Sequence, residues 1–560
     1  MKVLKKVVLL LSCIAFFIQI APANYFALAL FGVLGILVGV QLGKWENSRL
    51  KPVWLIVLVL ISVYIAYSTG RVFHILWEAS SQLKALLSRY TADTGSLLNI
   101  FCGLGSVAAF PAVFTLVSML FDWLRKIAPI VRDEYSIKPL FSSLSAFAKS
   151  AVLIIVNLLA AVVLGVFLLK SAFELQPDNI DMNVRNSVPI FIQEGSLPSL
   201  FSWCTSRLDN FTDALMLAEA SDNSEGSALE RGLMSYTGRV EGKKTIESFI
   251  SHYTSGEEYT TEVSYPRYWH GYQIILKPLL EIMDYGGIRI LNGIVQVSLV
   301  ILVCVLLAKR KASQFILPYL CAYLMLNPIV LGVSLQYSAC FYVFSLGCIV
   351  LLLLPTGKRN KYAFLVFLNI GIFNAYFDYL TYPMATFGIP AVLYTALQGG
   401  ETLEKKLNNM IRCGVSWCIG YGGMWVSKWV VTYLLTGYNA IENGLSAVLN
   451  RTTNTYYDGT VNTKATCILL NYGTFLFTPA VIICIAFAVY LIKNTKPAKL
   501  TEINDSHSVF IPYALLACAP AVWFAFASNH LFPYFTSKAI CVTVLAILCG
   551  LADLQKRRTQ

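Results

Sequence analysis

The sequence predicts an all-α polytopic membrane protein of about fourteen transmembrane helices, with one large extracytoplasmic loop carrying amphipathic helices. Three observations predict it. Of the 560 residues, 57% are hydrophobic and only 13% charged, about half the ~25% of soluble domains. Apolar runs repeatedly reach the ~20 residues that cross a bilayer. Lysine and arginine collect in alternate loops, as they do on the cytoplasmic side of membrane proteins. The net charge of +12 is therefore a topology signal and not a nucleic-acid footprint.

In chain order, Met1–Lys6 is basic, Val7–Ile20 is apolar, and Ala21-Pro22-Ala23 has the small residues of a signal cleavage site. A second apolar run, Tyr25–Leu42, follows at once and favours an uncleaved helical hairpin. The expected spans are 5–21, 24–43, 53–69, 97–121, 145–172, 288–308, 314–332, 338–355, 361–377, 383–398, 413–436, 466–492, 509–528 and 534–553. With the amino terminus cytoplasmic, the inner loops carry Lys44/Arg49/Lys51, Arg125/Lys126/Arg132/Lys138, Lys309/Arg310/Lys311, Lys358/Arg359, Lys405/Lys406/Arg412 and Lys493/Lys496/Lys499. The tail Lys556/Arg557/Arg558 also falls inside. One outer stretch, 70–96, holds Arg71, Lys84 and Arg89 and reads as an amphipathic surface helix. The expected division is an N-terminal four-helix membrane region, 1–144, and a core, 145–560, that includes the extracytoplasmic loop 173–287.

That loop is the longest polar segment of the chain. Val188–Ala220 and Leu229–Tyr253 mix apolar and polar residues at helical spacing, and predict short amphipathic helices on the outer membrane face. Ser221–Ser227 and Thr254–Thr261 read as turns. Of the 14 cysteines only Cys204 lies well inside the loop, which excludes a disulfide framework there. No CxxC pair suggests a zinc site.

Candidate chemistry gathers at a few places. Asp209 and Asp213, four residues apart, share a face of one helix. Such a pair serves as base and partner, or jointly holds a divalent cation. Otherwise they are helix-surface charges, with Asp209 as the N-cap. In Tyr265–Tyr272, Tyr268, Trp269 and Tyr272 suit a sugar ring, while Arg267, His270 and nearby Lys277 suit phosphate oxygens. An aromatic belt before a membrane helix alone explains the rings, and explains the arginine and histidine less well. Asp378 ends one span and Pro383 opens the next, with Tyr382 between them; a capped turn is the plainer account. Lys428 lies within a span, where a lysine either has a partner or snorkels to the interface. His530 and Lys538 sit near the outer mouth of the last spans.

No P-loop, GxSxG, HExxH or Rossmann glycine pattern is present. A donor used at an outer site would then be lipid-linked.

The stretch Phe373-Asn374-Ala375-Tyr376-Phe377-Asp378-Tyr379-Leu380-Thr381-Tyr382-Pro383, followed by Gly388-Ile389-Pro390, resembles an element of the serotype-converting O-antigen glucosyltransferases of bacteria. The resemblance is specific for those residues and architectural for 145–560. It implies a GT-C-like core, a catalytic acid in the first large outer loop and a polyprenyl-phosphate sugar donor. Asp209 matches that acid, although Asn210 stands where the family has a second one, so Asp209 and Asp213 both stay open.

The expectation is therefore an inverting glycosyltransferase of the bacterial inner membrane, needing no cofactor. It would move a sugar from a polyprenyl-phosphate donor to a surface polysaccharide or lipid-linked glycan. Asp209 would be the base, and Arg267, His270, Lys277 and Lys428 would hold phosphate. Tyr268, Trp269, Tyr272 and Tyr382 would line the sugar site, and Asp378 would orient a hydroxyl. The rival readings are a polysaccharide polymerase and a lipid-linked glycan flippase.

Overall fold

The computed structural model describes residues 146–175, 177–453, 464–495 and 503–559. The expected spans 5–21, 24–43, 53–69 and 97–121 and the surface helix 70–96 lie outside the described residues. The chain divides into two compact units, Met1–Val156 with Leu434–Gly437, and Asn157–Tyr433 with Tyr438–Gln560. The polar loop and the helices that position the candidate site belong to the second unit.

Among the described residues, five helices are long and apolar enough to cross a membrane: Ala151–Phe173, Tyr285–Lys309, Leu335–Leu353, Val509–Phe526 and Pro533–Lys556. A sixth span arises if the bent pair Lys464–Leu476 and Ala480–Lys493 counts as one. About fourteen continuous spans were expected, and some expected spans inside the described residues are broken or short. Helix α1 (Ala146–Phe173) leads into the polar loop, and α7 (Tyr285–Lys309) leads out of it. Beyond it, α8 (Ile316–Met325) and α9 (Pro328–Val333) replace the single span expected over 314–332. The break falls at Asn327, whose backbone is left-handed (φ 60°), just before Pro328. Broken backbone in an apolar setting leaves carbonyls that must be met by protein groups. Asn292 Nδ2 donates to Leu331 O at 3.1 Å and Gly332 O at 2.9 Å, and Gln296 Nε2 to Leu331 O at 2.9 Å.

The chain continues as α10 (Leu335–Leu353), α11 (Thr356–Phe377), α12 (Met384–Ala396) and α13 (Leu403–Thr436). Helices α11 and α13 touch backbone to backbone: a Cβ on Gly420 would lie 2.1 Å from Leu368 O. After α14 (Ala440–Thr452) come α15 (Lys464–Leu476) and α16 (Ala480–Lys493), bent by 86° across Thr478-Pro479. Proline removes a helical donor and clashes with the preceding turn, so a hydropathy run over 466–492 hides two helices. The remainder is α17 (Ile503–Ala517), α18 (Ala519–Phe526), α19 (Pro533–Thr536) and α20 (Cys541–Thr559).

The loop between α1 and α7 has its own apolar core. It holds α2 (Pro177–Glu194), α3 (Asn210–Ala220), α4 (Ala228–Met234), α5 (Thr245–Ser255) and α6 (Gln273–Leu280). A small antiparallel ribbon of β1 (Tyr236–Arg239) and β2 (Thr261–Ser264) was not expected; Tyr236 pairs with Ser264 and Arg239 with Thr261. Ile180, Val184, Val188 and Phe191 repeat every three to four residues along α2, the spacing of one helix face. Phe191 stacks on Tyr285 at 5.0 Å and meets Phe249 edge-on at 5.7 Å. Arg289 on α7 grips both Glu194 oxygens, at 2.6 and 2.8 Å, and so ties α2 to the span.

Candidate functional site

The Tyr265–Tyr272 segment is bolted to the helices beneath it. The Trp269 indole N–H donates to Met424 O at 2.7 Å, and the Trp429 indole N–H to Arg267 O at 3.0 Å. Gly271 N–H donates to Tyr376 O at 2.9 Å. A Cβ on Gly271 would lie 2.2 Å from the Tyr376 ring, so only glycine lets the backbone pass this close.

These anchors bring Arg267 and Tyr268 to residues from remote parts of the chain. Arg451 Nη2, on α14, donates to Tyr268 Oη at 2.9 Å. The Arg267 guanidinium lies 4.9 Å from the Tyr265 ring centre. The Tyr268 ring stands edge-on to Trp425 at 5.3 Å and to Tyr379 at 5.4 Å. The Tyr421 ring stacks on Trp417 at 4.9 Å and tilts against Trp425 at 5.7 Å. Arg267 Nε, Arg451 Nε, Tyr421 Oη and Trp425 Nε1 are buried and have no hydrogen-bond partner among the described residues. Each of these atoms can donate, so the centre lacks acceptors. A buried donor left unpaired costs about 1–3 kcal/mol, and a ligand rich in oxygen would relieve that cost.

Asp378 caps the end of α11, next to Tyr379, whose ring meets Tyr268. Its oxygens accept from the Thr381 N–H at 3.0 Å and from the Thr381 hydroxyl, and burial pushes its carboxyl up to about 6 against those bonds. Within the turn, Leu380 is left-handed (φ 69°), a strained state for a side chain of its size. His530 holds the turn from the other side, Nε2 lying 2.8 Å from Leu380 O. A carbonyl only accepts, so Nε2 carries the proton. Burial, helped by the Arg451 charge, pushes His530 down to about 3, and the ring is neutral.

Other residues expected at the site lie behind it. His270, left-handed at φ 53°, places Nδ1 2.9 Å from Glu219 and Nε2 2.8 Å from Tyr265 O. Tyr272 and Tyr379 bind the same Glu219 carboxylate. Lys428 Nζ donates to Leu233 O at 2.6 Å and lies 5.6 Å from the Trp269 ring centre. Lys277 Nζ donates to Ala220 O at 2.6 Å, and burial, helped by the Arg231 charge, lowers it to about 8. Tyr382 donates to Tyr337 O in the core. His270, Lys277 and Lys428 are 2%, 3% and 0% exposed, and the bonds named here tie them to the protein's own groups and not to a ligand surface.

The two loop carboxylates differ. Asp213 accepts from Tyr285 Oη at 2.5 Å and from the N–H groups of Leu335 and Gln336, both at 2.9 Å, so it caps α10. Burial raises its carboxyl against those bonds. Asp209 caps α3 through Thr212 N–H at 3.1 Å, and burial pushes it up to about 6. Gln336 and Tyr534 stand beside it, and Arg207 lies 5.8 Å from the Tyr534 ring centre. Among the described residues no hydrogen bond joins Asp209 to Arg267 or His270, because His270 turns toward Glu219. Asp209 is thus bonded to its own helix, and His270 to Glu219. The segment Asn529–Phe535 lies between Asp209 and Arg451: Asn529 N–H donates to Arg451 O at 3.0 Å, His530 lies 5.9 Å from Phe535, and Tyr534 stands near Asp209.

Sequence reading missed Glu219, Tyr379, Tyr421, Trp425 and Arg451. One signal was present: Trp417, Tyr421, Trp425 and Trp429 recur every four residues along α13. Among the described residues, no group of at least three His, Cys, Asp or Glu side chains is placed to hold a metal ion. Comparison with known proteins finds no matching family model, curated protein or solved structure.

Proposed function

We propose that the protein is a glycosyltransferase of the bacterial inner membrane. It moves a sugar from a polyprenyl-phosphate donor to a surface polysaccharide or lipid-linked glycan on the extracytoplasmic side. The observation that carries this reading is the set of unpartnered donors on Arg267, Arg451, Tyr421 and Trp425. Phosphate oxygens supply the acceptors that set lacks, and arginine presents them a matching fork. Tyr268 and the rings of His530–Phe535 offer faces for the sugar. Asp209 takes the proton of the acceptor hydroxyl as the new glycosidic C–O bond forms. The bond from the anomeric carbon to the phosphate oxygen breaks, and polyprenyl phosphate leaves with that electron pair. Arg267 and Arg451 neutralise the charge that grows on it. Asp378 orients a sugar hydroxyl. The basic groups stand with the phosphate and the raised carboxylate with the acceptor, which suits inverting displacement.

The test uses the full chain in vesicles with a panel of polyprenyl-phosphate hexoses and lipid-linked glycan acceptors. Arg451→Gln should lower transfer about 10²–10³-fold, the usual effect of removing one preorganised donor to developing charge. No transfer from any phosphate-linked donor overturns the reading. The two arginines also suit a polysaccharide polymerase, which needs basic groups and no carboxylate base. Full activity of Asp209→Asn beside an inactive Arg451→Gln would favour that alternative.

A further inference from the structure

The stretch Ser199–Arg207, between α2 and α3, closes on itself. Ser199 and Arg207 form an antiparallel bridge. Leu200 N–H donates to Ser206 O at 3.2 Å, and Leu208 N–H to Pro198 O at 2.8 Å. The Ser206 hydroxyl accepts from Phe201 N–H at 3.1 Å and lies 2.8 and 2.6 Å from the Phe201 and Trp203 carbonyls. The neck of the hairpin is thus closed by its own bonds, and Ser206 ties the Phe201 and Trp203 carbonyls to it.

Its side chains do the opposite of what water favours. Leu197, Leu200 and Phe201 are 41%, 38% and 38% exposed, and Phe211 next to them is 38% exposed. Phe201 stacks on Trp203 at 4.6 Å. Trp203 is half-buried, and its indole N–H, itself buried, has no partner among the described residues. Outward apolar side chains on a hairpin that leaves some tip N–H groups to outside partners suit the headgroup boundary, where water and headgroup oxygens accept from them.

The base of the hairpin joins the spanning helices. Thr205 and Thr478 hydroxyls lie 2.7 Å apart, and Lys538 Nζ donates to Thr205 O at 3.2 Å. Thr478 sits at the bend between α15 and α16, where Leu476 and Phe477 are 61% and 82% exposed. The hairpin therefore continues the apolar surface of the bent pair α15 and α16, which together are long and apolar enough to cross a membrane.

We propose that Ser199–Arg207 is a hook seated in the headgroup boundary of the leaflet on the loop side, its apolar side chains dipping toward the acyl chains. Acyl chains cover Leu200 and Phe201, and Trp203 sits at the headgroup boundary, where tryptophan is favoured. Asp209, just past the hook, is then held at headgroup depth.

Two measurements on the full chain in phosphatidylethanolamine–phosphatidylglycerol vesicles test this. In the first, p-benzoylphenylalanine is placed at position 201 and photolysed, and the adducts are identified by mass spectrometry. Lipid adducts should dominate; adducts to residues 1–145 or to a second copy overturn the proposal. The second needs no change in the hook and reads Cys204, an exposed thiol. A charged, membrane-impermeant maleimide should label Cys204 about tenfold or more slower than the water-facing variant Glu225→Cys, since the reactive thiolate forms poorly in lipid. Equal rates overturn the proposal.

Discussion

Asp209 accepts a hydrogen bond from Thr212 on one oxygen, whereas Asp213, one helical turn later, has both oxygens filled. Asp209→Asn keeps the cap, since asparagine and aspartate cap about equally well. As the loss of a base it should lower transfer by about 10²–10⁴ with no loss of folded protein. In the unsubstituted protein, kcat/KM should rise as pH increases through about 6, where Asp209 ionises. Stability runs the other way. The folded carboxyl lies at about 6, above the ordinary 3.8, so its stabilising contribution is full below 3.8 and lost as pH rises through 6. Asp209→Asn should therefore raise the melting temperature at pH 7.5, by an effect of order 1–3 kcal/mol, and change it little at pH 4. Asp213→Asn should instead reduce folded protein at neutral pH. It sets an amide against the donors of α10, at about 1–3 kcal/mol for each donor left unpaired. Sequence spacing identified this carboxylate pair but not its division of roles. That division depends on Tyr285 and Leu335, which only the folded chain brings to Asp213.

At the scale of elements, buried lysines close helix ends. Lys277 meets the last residue of α3, Lys428 the last turn of α4, and Lys538 the Leu326 carbonyl at the end of α8, at 3.2 Å. A cation there answers the negative pole and the free carbonyls of a helix C-terminus. Lys428→Met should accordingly lower the melting temperature while transfer per folded molecule stays near normal; transfer lost in fully folded protein would return Lys428 to the phosphate. The α11–α13 contact makes a second element-scale prediction. Gly420→Ala puts a methyl group 2.1 Å from Leu368 O, so the helices must part. Tyr421 and Trp425 move with α13, and both stability and transfer should fall. The amphipathic helices of the loop were legible because their apolar residues repeat at the helical period. The ribbon of β1 and β2 was not, since its four-residue strands are too short to show alternation. The breaks at Asn327-Pro328 and Thr478-Pro479 were visible as dipeptides, yet a hydropathy window averages across them.

For the whole molecule, the charge pattern makes a topological prediction. A reporter fused near Ser224 should be extracytoplasmic and one near Lys406 cytoplasmic; both on one side would overturn the span count. Most of the candidate centre was illegible from sequence for a similar reason of scale. Tyr268 and Arg451 are 183 residues apart in the chain, and no local pattern links them. The bend between α15 and α16 has a consequence for the surrounding bilayer. The two helices have 13 and 14 residues. At 1.5 Å per residue each is only about 20 Å long. Bent by 86°, they cannot both follow the membrane normal, and neither alone matches a hydrocarbon layer of about 30 Å. Hydrophobic mismatch should then thin the leaflets beside this pair, at a modest cost for each ångström of misfit. The protein should melt at a higher temperature in short-chain than in long-chain phosphatidylcholine vesicles, and in a mixed bilayer it should gather the shorter lipids around itself.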